Sequence, residues 1–108
     1  MANSFKNYFL KNATTTAANA YAVGAGTQAT VIGMTVSNTT GTPISANVTV
    51  VSSGTTYFLV QNATISNGGA LVPVGGDQKL VIEAGDALQV NTSVASSGDV
   101  IVSVLEIS

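Results

Sequence analysis

The sequence predicts an all-β protein, a single antiparallel β-sandwich of jelly-roll-like form with about eight strands and an N-terminal arm. Apolar and polar residues alternate with a period of two along most of the chain, and Val, Ile and Thr are frequent in the alternating segments. Clusters of Gly, Asn, Asp and Ser separate these segments at intervals of roughly 8–14 residues, which favours a sandwich or jelly roll over a parallel sheet.

The first predicted strands lie in the N-terminal half of the chain. A short segment, NAYAV, begins the series near Tyr21, and the longer segment QATVIGMTVSN follows it. In the longer segment, strict alternation would place Ile32, Met34 and Val36 on one face. SANVTVV comes after the turn GTP, and TYFLVQ comes after the turn SSGT. We expect tight turns at these points because Gly, Pro and Ser suit the backbone conformations that turns need.

The remaining strands are predicted at ALVPV, KLVIE, ALQVNTS and VIVSVLEIS. Pro73 indicates that ALVPV is an edge strand or contains a bulge, since proline has no N–H to donate to a sheet. Asp77, Asp86 and Asp99 each follow a glycine. We interpret these three carboxylates as turn residues that bond their own backbone, rather than as ligands of a calcium ion, because they lie on separate turns.

The last predicted strand is apolar on both faces. Ile101, Leu105 and Ile107 alternate there with Val100, Val102 and Val104. One face can pack the core of the sandwich, and the other must contact a loop, a neighbouring subunit or water. We predict that Val100, Val102 and Val104 form a subunit interface; the alternative is a central strand covered by loops of its own subunit.

The N-terminal segment concentrates large apolar side chains. Phe5, Tyr8 and Phe9 are three of the six aromatic residues in the chain, and Leu10 follows them. Their spacing suits one turn of an amphipathic helix and equally suits an extended arm. We expect these four residues to contact a neighbouring subunit; the alternative is that the segment folds back on its own sandwich.

This concentration divides the chain into a predicted docking arm, residues 1–16, and a β-sandwich domain, residues 17–108. Burial of the three aromatic rings would contribute at most roughly 12–15 kcal/mol. Ordering about a dozen backbone residues costs of the order of 12–24 kcal/mol. The two terms nearly cancel, so we expect the arm to need a partner surface in order to be well ordered.

The composition excludes several classes of partner and chemistry. Only 7% of the 108 residues are charged, and the three basic residues are all lysines. We expect no nucleic-acid partner, because phosphate binding requires clustered Lys and Arg. No apolar run approaches the ~20 residues of a membrane-spanning helix, so no membrane partner is expected. The low charge instead indicates a surface that is covered in an oligomer.

Residues that carry catalysis or bind metals are scarce. Histidine and cysteine are absent, which removes the commonest general base and the thiolate nucleophile. The glycine-rich segments match neither a phosphate-binding loop nor a dinucleotide fingerprint. We therefore predict a protein that is not an enzyme and that holds no metal and no cofactor.

A glycan-binding module is the alternative from another functional class. Sugar binding in a small sandwich requires exposed aromatic platforms, and the predicted domain contains Tyr21, Tyr57 and Phe58. Because Tyr57 and Phe58 are adjacent on a predicted strand, one should face inward and the other outward. A single outward ring makes a weak sugar site.

Four quoted segments carry a resemblance to a known family. The order of TYFLV, a Gly-rich turn, GGDQKLVIEAGD and the closing VSVLEI resembles small virion structural proteins of tailed bacteriophages, and the opening MANSFKNYFLKN resembles their N-termini. The resemblance covers nearly the whole chain. It implies a virion component assembled in the host cytoplasm, with the major capsid protein or neck and tail proteins as partners.

The same resemblance implies a homo-oligomer, with a trimer favoured. Capsid decoration (cement) proteins and neck or tail appendages both use small β-sandwich oligomers of this kind. We predict capsid decoration, with a neck or tail appendage as the alternative, and a glycan-binding host-adsorption module as the less favoured third role.

Overall fold

Two antiparallel sheets packed face to face make up the computed structural model, which describes residues 3–75 and 79–107. The turn residue Asp77 lies outside the described residues. Nine strands run through the described part of the chain: β1 (Asn3–Ala13), β2 (Ala18–Ala22), β3 (Gln28–Asn38), β4 (Ile44–Ser52), β5 (Thr55–Ile65), β6 (Ala70–Val74), β7 (Leu80–Ile82), β8 (Ala87–Thr92) and β9 (Gly98–Ile107).

The strand order confirms the predicted all-β, jelly-roll-like sandwich. The first sheet has the order β1-β9-β3-β6, with β7 also paired to β3, and the second sheet has the order β2-β8-β4-β5. Each of the eight predicted strands is present. The ninth is β1, which the sequence pattern had assigned to an arm. None of the described residues lies in a helix that is long and apolar enough to span a membrane.

The core lies between the inner faces of the two sheets and consists mainly of aliphatic side chains. Val100, Val102 and Val104 of β9 belong to it and are at most 1% exposed. The prediction that this face of β9 forms an interface is therefore corrected. Along this face the three valines carry no polar side-chain atom and Glu106, near the end of the strand, has its carboxylate bonded to Tyr8 and Tyr21, so the face can be buried without leaving a polar group unpaired.

A bulge in β3 changes which of its residues face the core. The pairing of β3 with β9 shifts between Val31 and Gly33, so Ile32 is an extra residue in the ladder. Val31, Met34 and Val36 are buried as a result, whereas strict alternation predicted Ile32 in place of Val31. One inserted residue exchanges the faces of a strand on one side of the insertion.

The N-terminal segment is part of the first sheet. Residues 3–13 form β1, whose residues pair antiparallel with β9 from Asn3 opposite Ile107 to Ala13 opposite Gly98. The backbone is extended here, so the helical turn considered for Phe5, Tyr8 and Phe9 does not form. The segment folds back on its own sandwich, because the edge of β9 offers a ladder of backbone partners that an isolated arm lacks.

Removal of residues 1–12 is expected to destabilise the whole sandwich. The deletion exposes the edge of β9 and removes Tyr8 and Leu10, which pack against the core. We expect a lower urea midpoint or loss of the cooperative transition, followed by far-UV circular dichroism. The double variant Phe5→Ser/Phe9→Ser keeps β1 and changes only exposed side chains, so its stability should stay within about 1 kcal/mol of the parent. An unchanged midpoint after the deletion would contradict the pairing seen here.

Candidate functional site

The outer face of the first sheet exposes large apolar side chains. Phe5 is 76% exposed, Phe9 69%, Val81 67% and Ile101 47%, and Leu105 is half-buried among them. We call these five residues, with the sheet surface between them, the apolar face. Single exposed apolar residues are common on proteins, but a contiguous group of this kind marks an interaction site.

Strand register arranges the apolar face in rows. Residues directly opposite each other in an antiparallel pair share a face, so each row crosses several strands. The Phe5 row contains Phe5, Leu105, Thr30 and Val81; the Asn7 row contains Asn7, Ser103 and Gly33; the Phe9 row contains Phe9, Ile101 and Thr35. The Phe5 and Phe9 rows contain large apolar side chains that project from the sheet, whereas the side chains of the Asn7 row between them are smaller.

A shallow depression lies beside the Phe5 row and another lies beside the Phe9 row. The first has a volume of about 280 Å³ and lies between Phe5, Ile32 and Ser103. The second has a volume of about 180 Å³ and lies beyond Phe9, where Ile101 and Asp99 line it. The apolar face is therefore corrugated, with ridges and depressions in alternation.

The outer face of the second sheet is polar over β2, β8 and β4, and its exposed ring, Phe58, lies on β5 in the row of Thr49 and Gln89. Gln89 donates a hydrogen bond to Asn19 at 2.9 Å, and Asn47 lies opposite Asn91 in the ladder. These amide groups form hydrogen bonds with water or with each other, so this face is stable in contact with solvent and does not require a partner chain. The two outer faces of the sandwich thus differ in chemistry, and the apolar one is the candidate site.

Tyr57 and Phe58 correct a sequence expectation. Both rings are exposed, at 58% and 54%, although neighbours on a strand were predicted to face opposite environments. They lie shortly after the turn at Ser53 and Gly54, near the end of the β4–β5 hairpin, where opposite faces of a strand can both meet solvent. Because the two rings point to opposite sides, they do not form a shared flat platform.

The seven residues predicted for the interface fall into three groups. Phe5 and Phe9 lie on the apolar face, while Tyr8 and Leu10 are half-buried on the inner side of β1. The remaining three are the core valines of β9. The sequence analysis missed Ile101, Leu105 and Val81 as members of the site. The alternation of β9 contained the signal for Ile101 and Leu105, but it did not say which side of the strand faces the core.

The carboxylate of Glu106 links the inner side of β1 to the second sheet. The hydroxyls of Tyr8 and Tyr21 each donate a hydrogen bond of 2.7 Å to Oε2 of Glu106. The two rings lie 4.5 Å apart between centroids. Lys6 Nζ lies 3.4 Å from Oε1 of the same carboxylate. Since Tyr21 belongs to β2, this cluster joins the second sheet to β1 and β9 of the first.

The cluster shifts the pKa of each of its acidic groups. The hydrogen bonds from Tyr21 and then Tyr8 hold the pKa of Glu106 below its usual value, because they favour the ionised carboxylate more than partial burial disfavours it. Burial, and then the bond to Glu106, raises the pKa of Tyr21. Glu106 accepts two phenol hydrogens and lies near an ammonium, so its role is to hold strands together.

Asp99 and Asp86 also have structural partners. Asp99 Oδ2 lies 2.9 Å from Lys11 Nζ, and its second oxygen accepts the backbone N–H of Asn12. The bond from Lys11, followed by the one from Asn12, lowers the pKa of Asp99. Asp86 accepts the backbone N–H of Glu83 within its turn, as the Gly-Asp pattern predicts. The interpretation of Asp99 as a turn residue is wrong, because it lies in β9 and bonds β1. Across residues 3–75 and 79–107, no three such acidic groups come together as metal ligands.

Tyr21→Phe is expected to lower the free energy of unfolding by roughly 1.5–3 kcal/mol, the usual worth of a hydrogen bond to a charged group. The ring stays buried, so packing is conserved and only the donor to Glu106 is lost. Tyr57→Phe removes a hydroxyl from an exposed ring and should change stability by less than about 0.5 kcal/mol. Equal effects of the two changes in urea denaturation would argue against the cluster.

Stability is expected to fall on acidification below about pH 5. Because the pKa of Glu106 is lower in the folded chain, its ionised form stabilises the fold above the unfolded value, and this contribution is lost as the pH falls through the folded value. Asp99 acts with the same sign. Glu106→Gln should flatten the dependence of unfolding free energy on pH between about 5 and 3. Parallel profiles for parent and Glu106→Gln would refute this account.

Comparison with known proteins gives a fold likeness. No protein-family model matches the chain. No curated protein sequence matches it. Among solved structures, the chain is similar to a protein of Bacillus endospore appendages, which are described as a family of disulfide-linked pili. The TM-score is 0.54 at 17% sequence identity, over 97% of this chain and 84% of that one. The likeness shows that the two chains share a fold.

Proposed function

We propose that this protein is a non-enzymatic structural subunit of a tailed-bacteriophage virion, which decorates and cements the capsid shell as an oligomer. The observation that carries the proposal is the apolar face. The sandwich has a complete aliphatic core without it, so Phe5 and Phe9 are not needed to fill the protein's own interior. Large side chains kept on the outside of a folded domain favour contact with another chain.

The chemistry of the described side chains supports a role without catalysis. Glu106, whose side chain is 15% exposed, has its oxygens directed to two tyrosines and a lysine. Asp99 is bonded to Lys11 and Asn12. A general base needs a free lone pair within reach of substrate, and these carboxylates use theirs to hold strands.

A neck or tail appendage is the second candidate. The likeness to an appendage subunit favours it, although that likeness extends only to the fold. The neighbour's pili are described as disulfide-linked, whereas these 108 residues contain no cysteine. These residues therefore cannot form the disulfides of such a pilus, and the apolar face supplies a surface for noncovalent contacts.

Counting copies of the chain in purified particles tests the proposal. Quantitative mass spectrometry should find a high copy number in fixed ratio to the major capsid protein if the chain decorates the shell. A small multiple of the portal ring number would favour the neck or tail instead. Particles that lack the chain, together with its presence on the host cell surface, would overturn the virion role.

A further inference from the structure

Rows of large side chains and depressions alternate along the apolar face. Reversing their order places a depression opposite each row, so two copies of the face are complementary. Along β1 the surface runs from the Phe5 row to the depression at Asn7, then to the Phe9 row and the depression at Lys11. Successive positions in this series are two residues apart on the strand, about 6.5–7 Å. Ridge and depression therefore alternate at equal spacing.

We propose that two copies of this chain pack through the apolar face about a two-fold axis that lies between the sheets. Such an axis reverses the order of the rows in the partner. When it passes midway between the Asn7 and Phe9 rows, Phe9 of each copy lies over the depression at Asn7 of the other. Phe5 then lies over the partner's second depression, beside Lys11. A two-fold contact requires this kind of self-complementarity.

The area is sufficient for a specific contact. Two phenylalanines that are about three-quarters exposed, with Ile101, Leu105 and Val81, offer roughly 500 Å² of apolar surface per copy. Two copies together would bury about 1,000 Å², the minimum expected of a biological interface and typical of weak, reversible contacts. Face-to-face sheets in proteins pack about 10 Å apart with interleaved side chains, which is the geometry that the rows present.

The charges near the apolar face favour a second copy over a charged partner. Lys11 is paired with Asp99, and Lys6 lies beside Glu106, so each cation has an anion in its own chain. Two identical faces would therefore meet without net repulsion. The ring of Phe5 would contact the alkyl stem of Lys11, whose side chain is 75% exposed in the single chain.

The inference rests on the proposed role as an assembling subunit and specifies the partner for that surface. Sedimentation velocity of the full chain over a concentration series should show reversible dimers. Phe9→Ser and Phe5→Ser should each raise the dissociation constant at least about 30-fold, as expected for aromatic anchors of an interface. Phe58→Ser changes a similarly exposed ring on the other sheet and should leave the constant within about 3-fold.

Gly33→Val gives a test that adds atoms instead of removing them. A Cβ built on Gly33 meets no atom within 4 Å, so the chain itself can accept a larger side chain there. Gly33 is the β3 member of the Asn7 row, opposite Ser103, and the proposed axis places the partner's Thr35, the β3 member of the Phe9 row, over it. The valine side chain should project into the space that the partner occupies and raise the dissociation constant of the dimer at least about 10-fold. The urea midpoint should stay equal or rise, since valine favours strands.

Three results would overturn the inference. The first is a monomer throughout the concentration series, and the second is a dimer that Phe58→Ser weakens as much as Phe9→Ser does. The third is an unchanged dimer in Gly33→Val, which would point to pairing through an open sheet edge. Each can occur while the chain is still abundant in particles, so failure of this dimer and failure of the virion role are separate outcomes.

Discussion

The two-residue alternation of β9 determines both what the protein buries and what it presents. Val102 and Val104 point into the core, so Ile101 and Leu105 on the same strand must point to solvent. Because β9 lies between β1 and β3 and is paired with both, its register also fixes which side of each neighbour faces outward. The apolar face is thus a consequence of how the core is packed, and changing one without the other would require a shift of three strands.

The cluster at Glu106 complements this arrangement at the edge of the sandwich. Tyr8 comes from the edge strand of one sheet and Tyr21 from the edge strand of the other, and a single carboxylate accepts a hydrogen bond from each. Backbone pairing alone would hold β1 to β9 but not to the second sheet. The cluster therefore makes the surface that carries Phe5 and Phe9 part of a fixed framework, which reduces the entropy lost when it binds.

Local patterns in the sequence were sufficient to predict the strands, but they did not predict which side of each strand points into the core. Alternation and turn residues are read within one segment, so the eight strands of the sandwich domain could be found without knowing their partners. The bulge at Ile32 and the inward side of β9 depend on residues far along the chain, and no local pattern encodes them. Phe5 and Phe9 have a spacing that suits both helix and strand, and only the open ladder of β9 selects the strand. The cluster at Glu106 has no local sign in the sequence, because Tyr8 and Tyr21 are 98 and 85 residues away.

The position of the lysines has a consequence for growth of the sheet. Two of the three lysines in the chain, Lys6 and Lys11, lie on β1, whose outer edge has no strand beside it in the described fold. Long cationic side chains along an open edge oppose the addition of another strand, which is how natural sheets avoid extension into fibrils. Each lysine also anchors its strand through an acid on β9. The same two side chains thus oppose polymerisation through the edge of β1, and the apolar face beside it is the route to an assembly of finite size.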